Sequence, residues 1–429
     1  MKGKIKIGVI GFGNRGTSLL KDVMLPMDDV EIRAVCDSYE DRMEEARKLS
    51  EEAGNPNVFA STDYREVLKI EEIDAIVITC AWESHIDIAC EAMLAGKYVG
   101  IEVGGAYDIE QCWRLVRTSE KTGMPCMMLE NCCYGKTELM ILNMVKKGLF
   151  GEIVHCAGGY HHDLRDEIAT GIEKRHYRLR NYLNRNCDNY NTHELGPIAK
   201  LLNINRGNRM LSLTSVSSKS AGMAQYVNDN MDRLSLPYYY KEGDPKHLNS
   251  SLKNAVFHQG DIVTTTVKCA GGQTIVMTLD TTLPRAYCRG FTVCGTKGRY
   301  EEQTDSIFID GQHNKYDENW KEQWGNADTY HTQYDHPIWQ EAKKNEIKGG
   351  HGGMDWMVFR AFFESVKAQT NTPIDVYDTA SWMCISVLSE QSVLLNGAPV
   401  PIPDFTCGRW MNREPYIRGK YCLEEIIEE

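Results

Sequence analysis

Four short runs gather the side chains that could do chemistry: Glu130-Asn131-Cys132-Cys133-Tyr134, Tyr160-His161-His162-Asp163-Leu164-Arg165, Tyr190-Asn191-Thr192-His193-Glu194-Leu195-Gly196-Pro197 and Gly349-Gly350-His351-Gly352-Gly353-Met354-Asp355. Tyrosine and histidine recur in them. Both can hydrogen-bond a sugar hydroxyl, and both can move protons near neutral pH. Each run also has a structural reading, since a His beside an Asp is often a satisfied pair and a glycine run is often a loop before a helix. His161-His162-Asp163 and His193-Glu194 contain metal-ligand types. Neither a helical His-x-x-x-His nor a compact zinc spacing is present, so no metal is expected. Tyr238-Tyr239-Tyr240, Trp320, Trp324 and Trp339 could stack on sugar rings or pack in the core or on the surface.

The element that must position these groups lies near the N-terminus. There the apolar run Ile5 to Ile10 breaks into Gly11-Phe12-Gly13-Asn14-Arg15-Gly16. This reads as strand, tight turn and helix, with Gly11 turning the chain, Gly13 admitting a pyrophosphate and Gly16 letting helix pack on strand. The N–H groups at the start of that helix would hold the phosphates. A second apolar run, Val30 to Cys36, ends in Asp37, where a carboxylate accepts bonds from a ribose diol. Strand, glycines, helix, strand and acid in this order predict a dinucleotide site.

Strand and helix signals continue to alternate: helix Glu40 to Glu52, short helix Asp63 to Leu68, strand Asp74 to Thr79, helix Glu83 to Ala95, strand Lys97 to Glu102, helix Ile109 to Thr122, strand Pro125 to Glu130. This predicts a doubly wound parallel sheet whose ligands sit at the carboxyl ends of its strands, where Asp37, Glu102 and Glu130 are placed. After about Tyr134 and a helix from Thr137 to Lys147 the pattern changes. Candidate strands Ile153 to Tyr160, Leu211 to Ser217, Ile262 to Cys269, Thr274 to Asp280, Arg289 to Cys294 and Ile307 to Ile309 predict a mostly antiparallel open sheet, with Gly271-Gly272 as a hairpin turn. Asp375 and Asp378 precede a long helix through Leu395. The expected fold is α/β: a Rossmann unit over residues 1–133 and a substrate-binding α+β unit over 134–429, the last helix packing back on the first unit.

Composition bounds the partners. A chain of 429 residues, 42% hydrophobic and 25% charged, has the makings of two or three cores. A formal charge of −12 argues against a general grip on nucleic acid. No apolar segment has the length of a signal peptide or membrane span, so a cytoplasmic protein with no membrane partner is expected. The 15 cysteines, odd in number and without CxxC spacing, read as reduced thiols.

The glycine turn, Asp37, the strand ending at Glu102 and the antiparallel second sheet resemble the Gfo/Idh/MocA family of sugar oxidoreductases. More narrowly, Met128 to Tyr134, Leu142 to Val145, His162 to Arg165, Asn205 to Arg209, Gln259 to Thr265, Gly350 to Asp355 and Leu388 to Ser392 resemble glycoside hydrolase family 109, best known for α-N-acetylgalactosaminidase activity. The resemblance implies an NAD-dependent glycosidase working without net redox change: the sugar C3 hydroxyl is oxidised, C2 is deprotonated, the C1 substituent is eliminated, water adds and C3 is reduced again. An NAD-dependent sugar or polyol oxidoreductase of the same fold is the alternative. By match to the family's motifs, Tyr160, His162, Tyr190, His193 and Tyr287 are the expected catalytic or substrate residues. Gly11, Phe12, Gly13, Asn14, Arg15, Gly16, Asp37, Glu102, Glu130 and His351 are those expected at the cofactor. The expected partner is a small-molecule sugar or glycoside, and a homo-oligomer is expected.

Three departures stand out. Glu102-Val103-Gly104 replaces the Glu-Lys-Pro of the wider oxidoreductase family, removing the lysine that serves the substrate hydroxyl there. Glu194 stands where the pattern has glycine, and the stretch Asp166 to Arg175 is short.

Asp37 followed by Ser38 predicts a preference for NAD, because a carboxylate repels a 2′-phosphate. Titration of cofactor-free protein is expected to give NAD an affinity about tenfold or more above that for NADP; tighter NADP binding would contradict it.

Overall fold

A computed structural model describes residues 3–234, 252, 255–316, 319–342, 349–413 and 419–424. Tyr238-Tyr239-Tyr240 lie outside the described residues. The first part alternates β1 (Ile5–Ile10), α1 (Asn14–Leu19), β2 (Val30–Cys36), α2 (Glu40–Glu52), β3 (Phe59–Ser61), α3 (Tyr64–Leu68), β4 (Ala75–Ile78), α4 (Trp82–Leu94), β5 (Tyr98–Ile101), α5 (Ile109–Thr122) and β6 (Cys126–Met128). The strands form one parallel sheet in the order β3-β2-β1-β4-β5-β6. Their side chains are buried on both faces, as helices on both sides of a parallel sheet require. Local signals set the helix ends: the Asp108 carboxylate accepts from Gln111 N at 2.7 Å to start α5, and Gly123 at φ +70° ends it.

A 3₁₀ turn (Asn131–Tyr134) follows β6, and the chain continues as α6 (Lys136–Lys146), β7 (Ile153–His161), α7 (Arg165–Ala169), α8 (Arg178–Asn184), α9 (Thr192–Leu201), β8 (Met210–Ser217), α10 (Gly222–Asp229) and α11 (Met231–Leu234). Then come β9 (Ile262–Cys269), β10 (Thr274–Asp280), β11 (Thr292–Gly295), β12 (Gly298–Glu301), β13 (Ser306–Ile309), α12 (Ala327–Tyr334), α13 (Pro337–Ala342), α14 (Met354–Ala368), α15 (Val376–Leu394) and β14 (Val400–Pro401). The second sheet runs β13-β12-β11-β7-β10-β9-β8-β14. Its neighbours are antiparallel except β7 and β10, which pair in parallel at its middle. Gly272 at φ +95° makes the β9–β10 hairpin, closed by Cys269 N donating to Gln273 O at 2.9 Å. The sequence reading missed β3, β12 and β14, each four residues or fewer. It also set Asp378 before the last helix; Asp375 is the N-cap, and Asp378 lies inside the first turn as its capping-box partner.

Helix α15 ties the two sheets together. Thr379 Oγ1 accepts from Met128 N of β6 at 3.1 Å, and Ser392 Oγ accepts from Ser215 N of β8 at 2.8 Å. Helix α14 lies against the first sheet, where Phe362 fills the space beside Gly100. All 15 cysteines are free thiols, most of them buried.

One buried ion network holds this arrangement. Lys200 on α9 donates to Asp378 at 2.6 Å, to Glu424 at 3.0 Å and to the Pro373 carbonyl at 2.6 Å. Arg206 pairs with Asp375 at 2.8 Å and Asp378 at 3.0 Å, and Arg413 also reaches Asp375. Three cations thus face three carboxylates, so the buried charge is balanced. The run Asn205 to Arg209 therefore has a structural task. Burial would raise the Asp378 carboxyl, but Arg206 and Lys200 outweigh it and hold it well below the carboxylate range. A depressed carboxylate stabilises the fold above its unfolded value near pH 4, and that contribution is lost as pH falls through its folded value. Lys200→Met is expected to cost about 3–5 kcal/mol in denaturant unfolding, because it leaves three buried carboxylates facing two cations. A loss below about 1 kcal/mol would show that the pairs do not bear on stability.

Candidate active site

The glycine turn has the geometry of a dinucleotide cradle. Gly11 sits at φ +103°, and a Cβ there would lie 2.4 Å from Cys80 N, so the turn needs glycine. A Cβ on Gly16 would lie 2.1 Å from Gly11 O, which is the close helix–strand packing this position serves. Gly13 is different: a Cβ there would meet only Arg42 Nη1, at 3.9 Å. The open side of the turn is therefore the one a pyrophosphate would cross, with Asn14 and Arg15 opening α1 beside it. Asp37 at the end of β2 accepts from Phe12 N at 2.6 Å and Tyr39 N at 2.9 Å. Its oxygens keep lone pairs for a ribose diol.

Arg15 turns from this loop across the cleft. Its guanidinium makes a bidentate pair with Asp355 of α14, both bonds 2.8 Å, and reaches Glu102 at the end of β5 at 3.2 Å. Asn131 donates to the same Asp355 at 2.8 Å. Burial would raise Asp355, but Arg15 and His351 hold it well below the usual carboxylate range. Glu102 goes the other way: burial raises it, Arg15 only partly opposing. His351 stands at φ +51° with a side chain 55% exposed, Nδ1 lying 2.8 Å from Asp355 and 3.3 Å from Arg15. It thus joins the glycine-turn network.

That cluster forms where the second sheet meets the end of β6. Tyr160 and His162 leave the end of β7 on one face, as alternate residues of an extended chain do, while His161 points away against Gly290. Tyr190 and His193 come from the loop before α9 and its first turn, three residues apart. The Tyr160 and Tyr190 rings stack at 4.1 Å. Tyr160 Oη lies 3.1 Å from His162 Nδ1, and Tyr190 Oη lies 3.4 Å from His193 Nε2. His193 Nδ1 is 2.8 Å from Glu130 Oε1, so the acid at the end of β6 orients the imidazole. Burial would raise Glu130, but His193 outweighs it and keeps the carboxyl low. Tyr287, half exposed, presents its ring to His162 at 5.1 Å and Tyr160 at 6.3 Å.

Several contributors escaped the sequence reading. Arg178, at the start of α8, is buried with its guanidinium over the Tyr190 ring at 4.8 Å and the Trp82 ring at 5.3 Å. It pairs with Glu167 at 2.6 Å, while its Nη1 has no hydrogen-bond partner among the described residues. Trp82 itself packs on Tyr177 and Tyr190 and fills the space beside Gly104. The only local signal was the run His176-Tyr177-Arg178, two rings and a cation in succession. Burial pushes the Tyr160 phenol up to about 12, and it lowers His162 from the ordinary imidazole value. The phenol therefore holds its proton at neutral pH while the imidazole beside it is free to accept one.

The same corner brings ligand atoms of Glu130, Cys132 and His193 within 4.8 Å of one another, a donor set that could hold a cation. Trp339 is committed elsewhere, donating to Tyr134 O at 3.0 Å, and Trp320 packs on Phe308. Among the described residues no helix is long and apolar enough to cross a membrane.

Comparison with known proteins agrees with this geometry. Residues 5–130 match a family described as "Oxidoreductase family, NAD-binding Rossmann fold", and residues 134–412 match "Glycosyl hydrolase 109, C-terminal domain". The chain belongs to glycoside hydrolase family 109. It is 36% identical over 436 residues to an α-N-acetylgalactosaminidase of Tannerella forsythia, covering 96% of this chain and 88% of that one. A family 109 protein of Stenotrophomonas maltophilia is also 36% identical, over 97% of this chain and 93% of that one. Among solved structures, an NAD-binding oxidoreductase from Klebsiella pneumoniae superposes with a TM-score of 0.66 at 15% identity, covering 94% of this chain and 99% of that one. A levoglucosan dehydrogenase in complex with NADH and L-sorbose gives 0.65, also at 15% identity, covering 94% and 100%. At that identity the likeness is one of fold. The first part of this family 109 chain is thus an NAD-binding Rossmann domain, and the cradle described above fits that cofactor.

If Glu130 serves to orient His193, Glu130→Gln should lower kcat by about a hundredfold or more while KM moves little. An unchanged kcat would remove the pair from the chemistry.

Proposed function

We propose that this chain is an NAD-dependent glycosidase that opens an N-acetylgalactosaminide-type glycosidic bond by transient oxidation at sugar C3, deprotonation at C2 and elimination at C1. Bound NAD supplies a hydride acceptor that returns the hydride at the end of the cycle. The observation that carries the reading is the cluster of Tyr160, His162, Tyr190 and His193, with His193 held on Glu130, beside a Rossmann cradle. Glu130 and Glu167 are engaged by His193 and Arg178. The site thus offers proton carriers more readily than the two opposed carboxylates of ordinary glycosidases.

In this reading Gly11, Gly13, the start of α1 and Asp37 hold the cofactor, and Tyr287 and Arg178 bind the sugar. His193, fixed at Nδ1 by Glu130, takes a proton at Nε2. When C3 is a ketone the C2 hydrogen is acidic; its removal places electrons that expel the C1 oxygen. The proton lost by the C3 hydroxyl on oxidation passes through Tyr160 to neutral His162 Nδ1; at elimination Tyr160, held protonated by burial, donates to the C1 oxygen and His162 returns the proton to Tyr160. Water then adds across C1 and C2, giving the free sugar after C3 is reduced. The stacked Tyr160 and Tyr190 rings keep these groups together on one wall.

Hydrolysis of a cleaved substrate in D₂O decides the route. Deuterium is expected at C2 of the released sugar, seen by NMR and mass spectrometry, because the C2 proton leaves for a side chain. Efficient release with no label at C2 means direct displacement at C1, and NADH accumulating without released aglycone means a dehydrogenase.

His162 sets a pH expectation. It must be neutral to accept from Tyr160, and burial lowers it below the ordinary imidazole value. The acid limb of kcat/KM should therefore fall below about pH 6.5, with activity declining as pH drops through it. A limb above pH 7 would place the controlling group elsewhere.

A further inference from the structure

The stretch between α7 and α8 crosses from the second part of the molecule to the adenosine end of the cradle. Three contacts fasten it there. The Lys174 carbonyl accepts from Arg42 Nη2 at 2.6 Å, and Arg175 makes a bidentate pair with Asp41 at 2.7 and 2.8 Å. The third contact is Tyr39, whose ring lies 4.3 Å from the Arg175 guanidinium and 5.1 Å from that of Arg42. Tyr39, Asp41 and Arg42 lie within five residues after Asp37, the candidate ribose acid, and Arg42 Nη1 stands 3.9 Å from where a Cβ on Gly13 would be. Arg42 therefore stands between the pyrophosphate path and the crossing chain. Arg175 adopts φ +49° in a turn closed by Arg175 N donating to Ile172 O at 3.1 Å and His176 N donating to Gly171 O at 2.7 Å, which presents its side chain to Asp41 and Tyr39.

We infer that residues 174–175 form a clasp over the adenosine half of NAD, anchored by Asp41, Tyr39 and Arg42, which keeps the cofactor on the protein from one turnover to the next. A dinucleotide lying along Gly13 toward Asp37 passes beneath Arg42 and the chain fastened to it. Release of the adenosine end then requires the Arg175–Asp41 pair and the Lys174–Arg42 bond to open. The anchors are positioning residues: none of them touches the tyrosine cluster, and their effect is on residence time. The clasp suits a reaction that returns its hydride, since a dehydrogenase must exchange its dinucleotide every cycle. It rests on NAD binding alone, so it stands or falls separately from the elimination route.

The test loads the whole protein with NADH and chases it with excess NAD while NADH fluorescence is followed. Arg175→Ala is expected to speed release about tenfold, from loss of one bidentate pair and one cation–ring contact. Asp41→Ala should speed it in the same direction, and the double variant should be little faster than Arg175→Ala, because both changes open one fastening. Arg175→Lys, which keeps the charge, should restore part of the retention. A thermal unfolding midpoint close to that of the unmodified protein keeps the reading independent of folding. Unchanged release in both alanine variants, or release rates that multiply in the double variant, would overturn the clasp.

Discussion

The bond between His193 and Glu130 is the constraint on which the site depends. Glu130 ends β6 in the Rossmann sheet, whereas His193 sits on the first turn of α9, which packs against the second sheet. Their 2.8 Å separation therefore fixes the distance between the NAD-binding domain and the tyrosine and histidine cluster built by a different part of the chain. The buried charges of Lys200, Arg206, Asp375 and Asp378 serve this bond at one remove. They lock the far end of α9 to the start of α15, and α15 in turn is bonded to both sheets. A fully buried carboxylate such as Glu130 is costly unless partnered, so the pairing is as much a condition of folding as of chemistry.

Arg15 makes a second crossing. It leaves the glycine turn, where a side chain would be expected to face solvent, and spans Glu102 and Asp355. The C-terminal ends of β5 and β6, the start of α1 and the start of α14 are thereby drawn to one point. His351 belongs to that point, its Nδ1 shared with Asp355. The glycines around it permit the positive φ values of Gly349, Gly352 and Gly353 by which the chain enters α14.

The Rossmann part was legible because its signals are local. A glycine turn, a strand-ending acid and alternating apolar runs each declare themselves within a few residues, and α5 agrees with its expected bounds to the residue. The second sheet was legible as antiparallel runs, but its one parallel pair, β7 with β10, joins strands more than a hundred residues apart that no local signal links. The tyrosine and histidine runs were visible as composition and by likeness to the family. Their assembly rests on stacking between Tyr160 and Tyr190, thirty residues apart. Arg178, Trp82 and Glu167 were missed, the run His176-Tyr177-Arg178 being their one local signal. A buried arginine against aromatic rings has no sequence pattern of its own, and only the packing of α8 against the first turn of α4 brings them together. Two of the runs that carry the family likeness have structural tasks: Asn205 to Arg209 contributes to the buried ion network, and Leu388 to Ser392 supplies Ser389, which accepts from Asp188 N, and Glu390, which pairs with Arg185.

We propose that this fold uses its nicotinamide site without consuming the cofactor. Tyr160, His162, Tyr190 and His193 gather next to the NAD-binding domain, with His193 held on Glu130, as such a cycle would require. The most direct measurement follows aglycone release and NADH absorbance together, on both anomers of aryl N-acetylgalactosaminides, with no cofactor added beyond that bound. Many aglycones released per protein-bound NAD, with no net rise in NADH, are expected. One NADH formed for each sugar converted, with the glycosidic bond intact, would contradict it.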